Sequence, residues 1–160
     1  MTLTRTPEMV SEILEEAVQH MSRSMDGHPL EASCGDDMLL VKADAKLIVQ
    51  VISNIMDNAV KYTPPGTPVT VTAERAGNMA EIRIADTGSG IPEEDKEKIF
   101  EKFYSGGRTI ADNRRSIGLG LYLCRAIIEA HGGEIHVEDN HPSGAVFVFT
   151  LPLEEASDYE

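Results

Sequence analysis

Between Asp44 and the Pro64-Pro65-Gly66 turn the chain runs without a glycine or proline, and Leu47, Ile48, Val51, Ile52, Ile55, Met56 and Ala59 recur at steps of three and four. That spacing gathers them into one broad stripe, so an α-helix is expected over 45–62, with Asp44 as its N-cap and the Pro-Pro-Gly turn as its stop. A stripe this wide has to be covered by another layer. Two β-rich runs, 69–73 and 80–85, follow at once and are joined by a turn through Gly77 and Asn78, which reads as an antiparallel hairpin.

The remaining elements are shorter. Residues 7–21 carry Met9, Val10, Ile13, Leu14, Ala17 and Met21 at helical spacing, with Glu8, Glu12, Glu15 and Glu16 on the other faces. Residues 30–32 and 38–41, parted by Cys34-Gly35-Asp36, read as a short hairpin. A break at Asp86-Thr87-Gly88-Ser89-Gly90 precedes a short acidic helix, and 105–116 is polar and without period, as a mobile loop would be. Helical spacing returns over 118–131 through Leu121, Leu123, Cys124, Ile127 and Ile128, and two strands, 134–138 and 145–152, close the chain. The expected fold is an α+β, two-layer α/β sandwich: a mixed, mostly antiparallel sheet with helices on one face. One domain over 1–160 is expected, with its core at about 4–152 and 153–160 as a frayed acidic tail.

Composition narrows the function. A formal charge of −13 over 160 residues argues against a nucleic-acid or anionic-membrane surface, which needs a basic face. No apolar run is long enough to span a bilayer, and 1–6 do not resemble a signal peptide, so a cytoplasmic module is expected. Cys34 and Cys124 are too few for a disulfide framework and read as reduced thiols.

The chemistry starts on the long helix. Residues four apart share a face, so Asn54 and Asn58 stand one above the other, and Lys61 lies three residues further along the same side. Two neutral amide oxygens can join water and phosphate oxygens around Mg²⁺, while an ammonium supplies a point charge for phosphate. The bland alternative is a solvated polar stripe. Asp86-Thr87-Gly88-Ser89-Gly90-Ile91 leaves a strand on glycines that permit close approach, and a carboxylate there can accept a hydrogen bond from an exocyclic amine. Taken alone it could equally be a turn cap. Gly118-Leu119-Gly120-Leu121 opens a helix after a loop with Gly106, Gly107, Arg108, Arg114 and Arg115, where bare amides and local positive charge suit phosphate.

Order and spacing together carry more than any one motif. Asn-x-x-x-Asn-x-x-Lys-Tyr, Asp-x-Gly-x-Gly-Ile, Phe-x-x-Phe-Tyr at Phe100 and Phe103, a basic loop and Gly-Leu-Gly-Leu follow one another, ahead of His131-Gly132-Gly133. From about residue 39 to 152 the chain resembles the ATP-binding catalytic domain of sensor histidine kinases, in the superfamily shared with gyrase-like and chaperone ATPases, whose fold is the Bergerat type. Within it, Lys61-Tyr62-Thr63-Pro64 and the 124–133 segment are most similar to the potassium-responsive KdpD sensor kinases. The resemblance implies ATP and Mg²⁺ as ligands, with Asn58 as the metal ligand and Asn54 beside it at the phosphates. Lys61 becomes a phosphate contact, and Tyr62 flanks the adenine. Asp86 becomes the adenine-reading aspartate, with Gly88, Gly90 and Ile91 around the base, and Gly118, Leu119 and Gly120 under the phosphates. Arg108, Arg114 and Arg115 fall in the lid, which Phe100 and Phe103 anchor to the core.

Asn54 also separates reaction classes, because relatives that hydrolyse ATP or phosphorylate serine usually place a glutamate there, and an amide cannot take a proton. Transfer to a histidine is the reaction implied; an anti-sigma-type serine kinase or a nucleotide-binding module without phosphotransfer are the alternatives. None of His20, His28, His131, His136 or His141 has the setting of the family's phosphoacceptor. His131 ends a helix, where a cation-capable ring suits the terminal carbonyls. The acceptor is expected on a separate dimerisation domain that also serves a response regulator, with this piece a monomeric cytoplasmic end of a membrane-anchored sensor.

Overall fold

A computed structural model describes residues 2–25, 27–35, 38–102 and 119–154, with only the backbone of Leu119. Seven strands and three α-helices make up the described chain: β1 (Thr6–Met9), α1 (Val10–Met21), β2 (Leu30–Cys34), β3 (Leu40–Ala43), α2 (Ala45–Tyr62), β4 (Val69–Ala76), β5 (Met79–Asp86), α3 (Leu119–Ala130), β6 (Ile135–Asp139) and β7 (Ala145–Pro152). Two 3₁₀ turns, Glu93–Asp95 and Lys98–Phe100, follow β5 where a short acidic helix was expected.

Strands β2, β4, β5, β7 and β6 form one sheet in that order. The β2–β4 pair is parallel and the others are antiparallel, which is the mixed, mostly antiparallel sheet expected. Alternation along β5 shows how the layers meet: Ala80, Ile82, Ile84 and Asp86 are buried while the residues between them are partly exposed. On β7 the inward set is Ala145, Phe147, Phe149 and Leu151. The three helices cover this face, with α2 in the middle packed on α1 at one side and α3 at the other. The α2 stripe of Ile48, Ile52, Ile55 and Met56 is buried to 1% exposure or less, so the wide apolar band is spent on the core.

Three expectations need correction, two near the N-terminus and one at the C-terminal end. Residues 7–9 do not belong to α1: they lie in β1, which pairs antiparallel with β3. The hairpin expected over 30–41 does not form. Its first strand, β2, joins β4 in the large sheet and its second, β3, joins β1, so the two strands satisfy their backbone groups in different sheets. Leu153 and Glu154, placed in the frayed tail, are held by a bridge from Leu153 to Val41 and by Glu154 N–H donating to the Leu40 carbonyl at 2.8 Å. Residues 155–160 and the loop expected over 105–116 lie outside the described residues.

Asp44 occupies the N-cap position of α2, yet its side chain does not cap: Oδ2 accepts from the Thr4 N–H at 3.0 Å instead. The α2 start is tied to the end of α3 by His131, buried at 3% exposure. Its Nδ1 donates to the Ile127 carbonyl at 2.8 Å and its Nε2 accepts from the Asp44 N–H at 3.0 Å. The hydrogen therefore sits on Nδ1, and the ring acts by donating to one helix and accepting from another rather than as a cation on helix-end carbonyls.

Candidate functional site

Asp86 is the last residue of β5, and the two-residue period of that strand turns it to the helix-facing side along with Ile82 and Ile84. It is 9% exposed. A buried carboxylate needs hydrogen-bond donors, and Asp86 Oδ1 accepts two: the Gly88 N–H at 2.9 Å and the Ala145 N–H at 3.3 Å. No described residue bonds Oδ2. One oxygen is thus fixed by the backbone, and the second keeps its acceptor capacity.

The backbone of Asp86 is held just as tightly. Asn140 Nδ2 donates to the Asp86 carbonyl at 2.7 Å, and Ser143 Oγ donates to the Thr87 carbonyl at 3.3 Å. Gly144 lies against the same place at φ +108°, where a Cβ would come within 2.1 Å of the Asp86 carbonyl oxygen. No side chain fits there. Gly90, at φ +83°, faces Gly144 in turn, with a Cβ reaching 3.0 Å from the Gly144 oxygen. The β6–β7 turn and the 86–90 loop therefore interlock through backbone.

Gly88 connects this loop to α2. A Cβ on it would fall 2.5 Å from Thr63 Cγ2, so the space that a side chain would take is filled by the Thr63 methyl. Thr63 caps α2 and its Oγ1 donates to the Ala59 carbonyl at 2.5 Å. The C-terminal turn of α2, where Asn58, Lys61 and Tyr62 lie, is thereby seated on the Asp86 loop. Ile91 is partly buried and packs on the core just beyond it.

Along α2, Asn54 and Asn58 are both half-buried, beside the fully buried Ile55, Met56 and Ala59. Asn54 Nδ2 reaches Cys124 Sγ on α3 at 3.9 Å. Lys61 pairs with Asp57 at 3.0 Å across one helical turn, so Asp57 supplies a counter-charge to the lysine. Tyr62 is 42% exposed, an unusually open position for a large ring. At α3, Gly120 lies in the first turn and a Cβ on it would meet no described atom within 4 Å, in contrast to Gly88 and Gly144. First-turn amides of a helix have no intrahelical partner. Phe100 is buried with its ring edge-on to Phe147, centroids 6.1 Å apart. Arg108, Arg114, Arg115, Gly118, Phe103 and the Leu119 side chain lie outside the described residues.

A pinned acidic group at a strand end and a carboxamide-bearing helix seated on its loop make one arrangement, and 43–155 match the family described as histidine kinase-, DNA gyrase B-, and HSP90-like ATPase. The chain belongs to this family. Among curated relatives, the sensor protein KdpD of Clostridium acetobutylicum is 39% identical over 147 residues, covering 92% of this chain but 16% of the relative. The adaptive-response sensory kinase SasA of Rippkaea orientalis is 47% identical over 118 residues, covering 73% of this chain and 30% of its own. The chain thus spans less than a third of the length of these relatives. Among solved structures, the nucleotide-free catalytic domain of histidine kinase ThkA superposes with TM-score 0.80 at 33% identity, over 93% of this chain and 95% of that one. Full-length ShkA, solved in complex with AMPPNP, gives TM-score 0.82 at 26% identity, over 98% of this chain and 32% of that one. The fold is that of a sensor histidine kinase catalytic domain, the Bergerat type expected.

Three residues that hold the family's acidic loop were not singled out from the sequence: Asn140, Gly144 and Thr63. Thr63 stood next to the Lys61-Tyr62 motif and was read only as part of it. Asn140 and Gly144 sit in a segment that reads as an ordinary turn, and their contact is with backbone 54 and more residues away in sequence.

Proposed function

We propose that this domain binds Mg-ATP and donates its γ-phosphate to a histidine on a separate dimerisation domain, as the catalytic domain of a two-component sensor histidine kinase. The observation that carries the proposal is Asp86: a carboxylate with Oδ1 committed to two backbone amides and Oδ2 left to accept a donor. An adenine amine is such a donor, and guanine presents an oxygen at the matching position, so a carboxylate there favours ATP over GTP.

The donor set on α2 suits magnesium shared with a triphosphate. Asn58 would supply one hard, neutral oxygen to the metal, with Asn54 beside it, which leaves the remaining positions to phosphate oxygens and water. Bound magnesium would neutralise charge on the β- and γ-phosphates. Lys61 would add a point charge, Tyr62 would flank the base, and the amides at Gly118, Leu119 and Gly120 would meet the phosphates. Asn54 has no proton-accepting group and the Asp57 carboxylate is paired with Lys61, so the γ-phosphate waits for an incoming imidazole that is nucleophilic as it stands. We further propose that the domain is monomeric alone and works at the cytoplasmic side of its membrane, with a response regulator reached through the acceptor domain. No helix among the described residues is long and apolar enough to cross a membrane.

Titration calorimetry with Mg-ATP and Mg-GTP tests the site, and mixing with the acceptor domain tests the reaction. Expected are adenine-selective binding and an acid-labile phosphate on the acceptor. Equal binding of the two nucleotides would remove the role given to Asp86, and an acid-stable phosphoserine would move the chain to the serine-kinase class.

A further inference from the structure

We infer that Cys124 is a positioning residue that fixes the orientation of the Asn54 carboxamide, so that Asn54 turns its oxygen, and not its nitrogen, toward the magnesium held by Asn58 and the water around it. The inference rests on the nucleotide site proposed above. Cys124 lies on α3, fully buried at 0% exposure, against the face of α2 that carries Asn54. Its sulfur sits 3.7 Å from the Val51 carbonyl and 3.9 Å from Asn54 Nδ2. Val51 and Asn54 are three residues apart on α2 and so share a face, which is how one atom reaches both.

A thiol has one hydrogen. Donated to the Val51 carbonyl, it leaves only the lone pairs of sulfur facing Asn54, and a lone pair accepts from an N–H but repels a carbonyl oxygen. The amide is thereby held with Nδ2 toward α3 and Oδ1 turned away from it. An Asn free to flip could serve either a cation through oxygen or a phosphate through nitrogen; this one is committed to the cation, or to a water bound to it. The thiol itself needs no reactivity for this role.

The test compares the intact domain with Cys124→Ala, Cys124→Ser, Asn54→Ala and the Cys124→Ala/Asn54→Ala pair, reading by calorimetry the affinity for Mg-ATP and for ADP without magnesium. Melting temperatures show that each variant is folded, and Asn54 side-chain amide signals in ¹⁵N spectra report the contact directly. Cys124→Ala should weaken Mg-ATP about threefold, leave metal-free ADP unchanged and abolish the distinct Asn54 amide signals, while Cys124→Ser, which keeps a hydroxyl donor and acceptor, stays near wild type. In the Asn54→Ala background, Cys124→Ala should add nothing. Equal losses for Mg-ATP and metal-free ADP, or full additivity with Asn54→Ala, would overturn the inference alone. If Asn54→Ala itself leaves Mg-ATP affinity unchanged, the place given to Asn54 beside the bound magnesium falls and this inference with it.

Discussion

The two ends of the proposed nucleotide site are built by different means. At the Asp86 end, position is set by backbone: two amides on Oδ1, an amide side chain on the carbonyl, and glycines at 88, 90 and 144 that leave no room for anything but close contact. At the Asn54–Asn58–Lys61 end, position is set by side chains on one helix face, half-buried or exposed, with Lys61 already paired to Asp57. A base pocket of the first kind can discriminate, because it does not adjust to a wrong partner. A phosphate end of the second kind, as proposed, could rearrange as charge is transferred. Under the proposed function, selectivity and transfer thus fall to separate parts of the molecule.

The largest expected effect breaks the rigid end outright. Gly144→Ala forces a Cβ to 2.1 Å from the Asp86 oxygen at φ +108°, and should cost about 3 kcal/mol or more of stability together with adenine binding. Denaturant melts and ATP titration check this; a variant with normal binding would show that the interlock is not needed. Gly88→Ala is milder because what it meets is a methyl, Thr63 Cγ2 at 2.5 Å. It should cost about 2 kcal/mol, and Thr63→Ser, which removes that methyl and keeps the bond to Ala59, should restore most of it. Absence of rescue would mean that α2 is seated on the loop by something else.

Much of this was legible from the residues, and the reasons differ by element. Helix α2 has bounds that match those expected, because its apolar period is long and both of its ends carry stop signals, although Asp44 marks the cap without performing it. The β4–β5 hairpin was readable because a Gly77-Asn78 turn makes its pairing local. Strands β1, β2 and β3 were not: their partners lie far along the chain, and no turn residue announces a non-local ladder. At the site, Asn54, Asn58 and Asp86 stood out because their chemistry is in their side chains. Gly144 acts by what it lacks, against a backbone that only the folded chain brings near, so its spacing held no signal.

Intermediate effects fall on the two ends separately. Asp86→Asn keeps the shape of the rigid end but removes its charge and turns a donor or a flipped amide toward the base, so ATP affinity should fall about 10- to 100-fold and the preference over GTP should shrink. Calorimetry with both nucleotides decides it, and an unchanged ratio would assign discrimination elsewhere. Asn54→Glu adds a proton acceptor to the adaptable end. Steady ATP hydrolysis by the isolated domain should rise about tenfold, below the roughly 10²-fold of an evolved base because nothing orients the new carboxylate. A phosphate-release assay showing no increase would argue that water is excluded by other means.

The smallest effect tests whether rigidity at Asp86 depends on the far face of the sheet. There Arg83, three residues before Asp86 on β5, pairs with Glu138 at 2.7 Å and Glu81 at 3.2 Å, and His136 meets Glu138 at 2.8 Å. The Glu138 carboxyl is held below its ordinary range, first by the His136 hydrogen bond and then by the Arg83 guanidinium. A group depressed in the folded state adds stability above its unfolded value and loses it as pH falls through the folded one, so the contribution is complete at neutral pH and gone well below about pH 4. With the Arg83 and Glu138 side chains 33% and 43% exposed, solvent screens the pair to about 0.5 kcal/mol at most. Glu138→Gln should therefore lower the melting temperature slightly at pH 7, not at all at pH 3, and leave the ATP to GTP ratio untouched. A change in that ratio would show that the base end is braced through the sheet and not only by the loop, Asn140 and Gly144 around it.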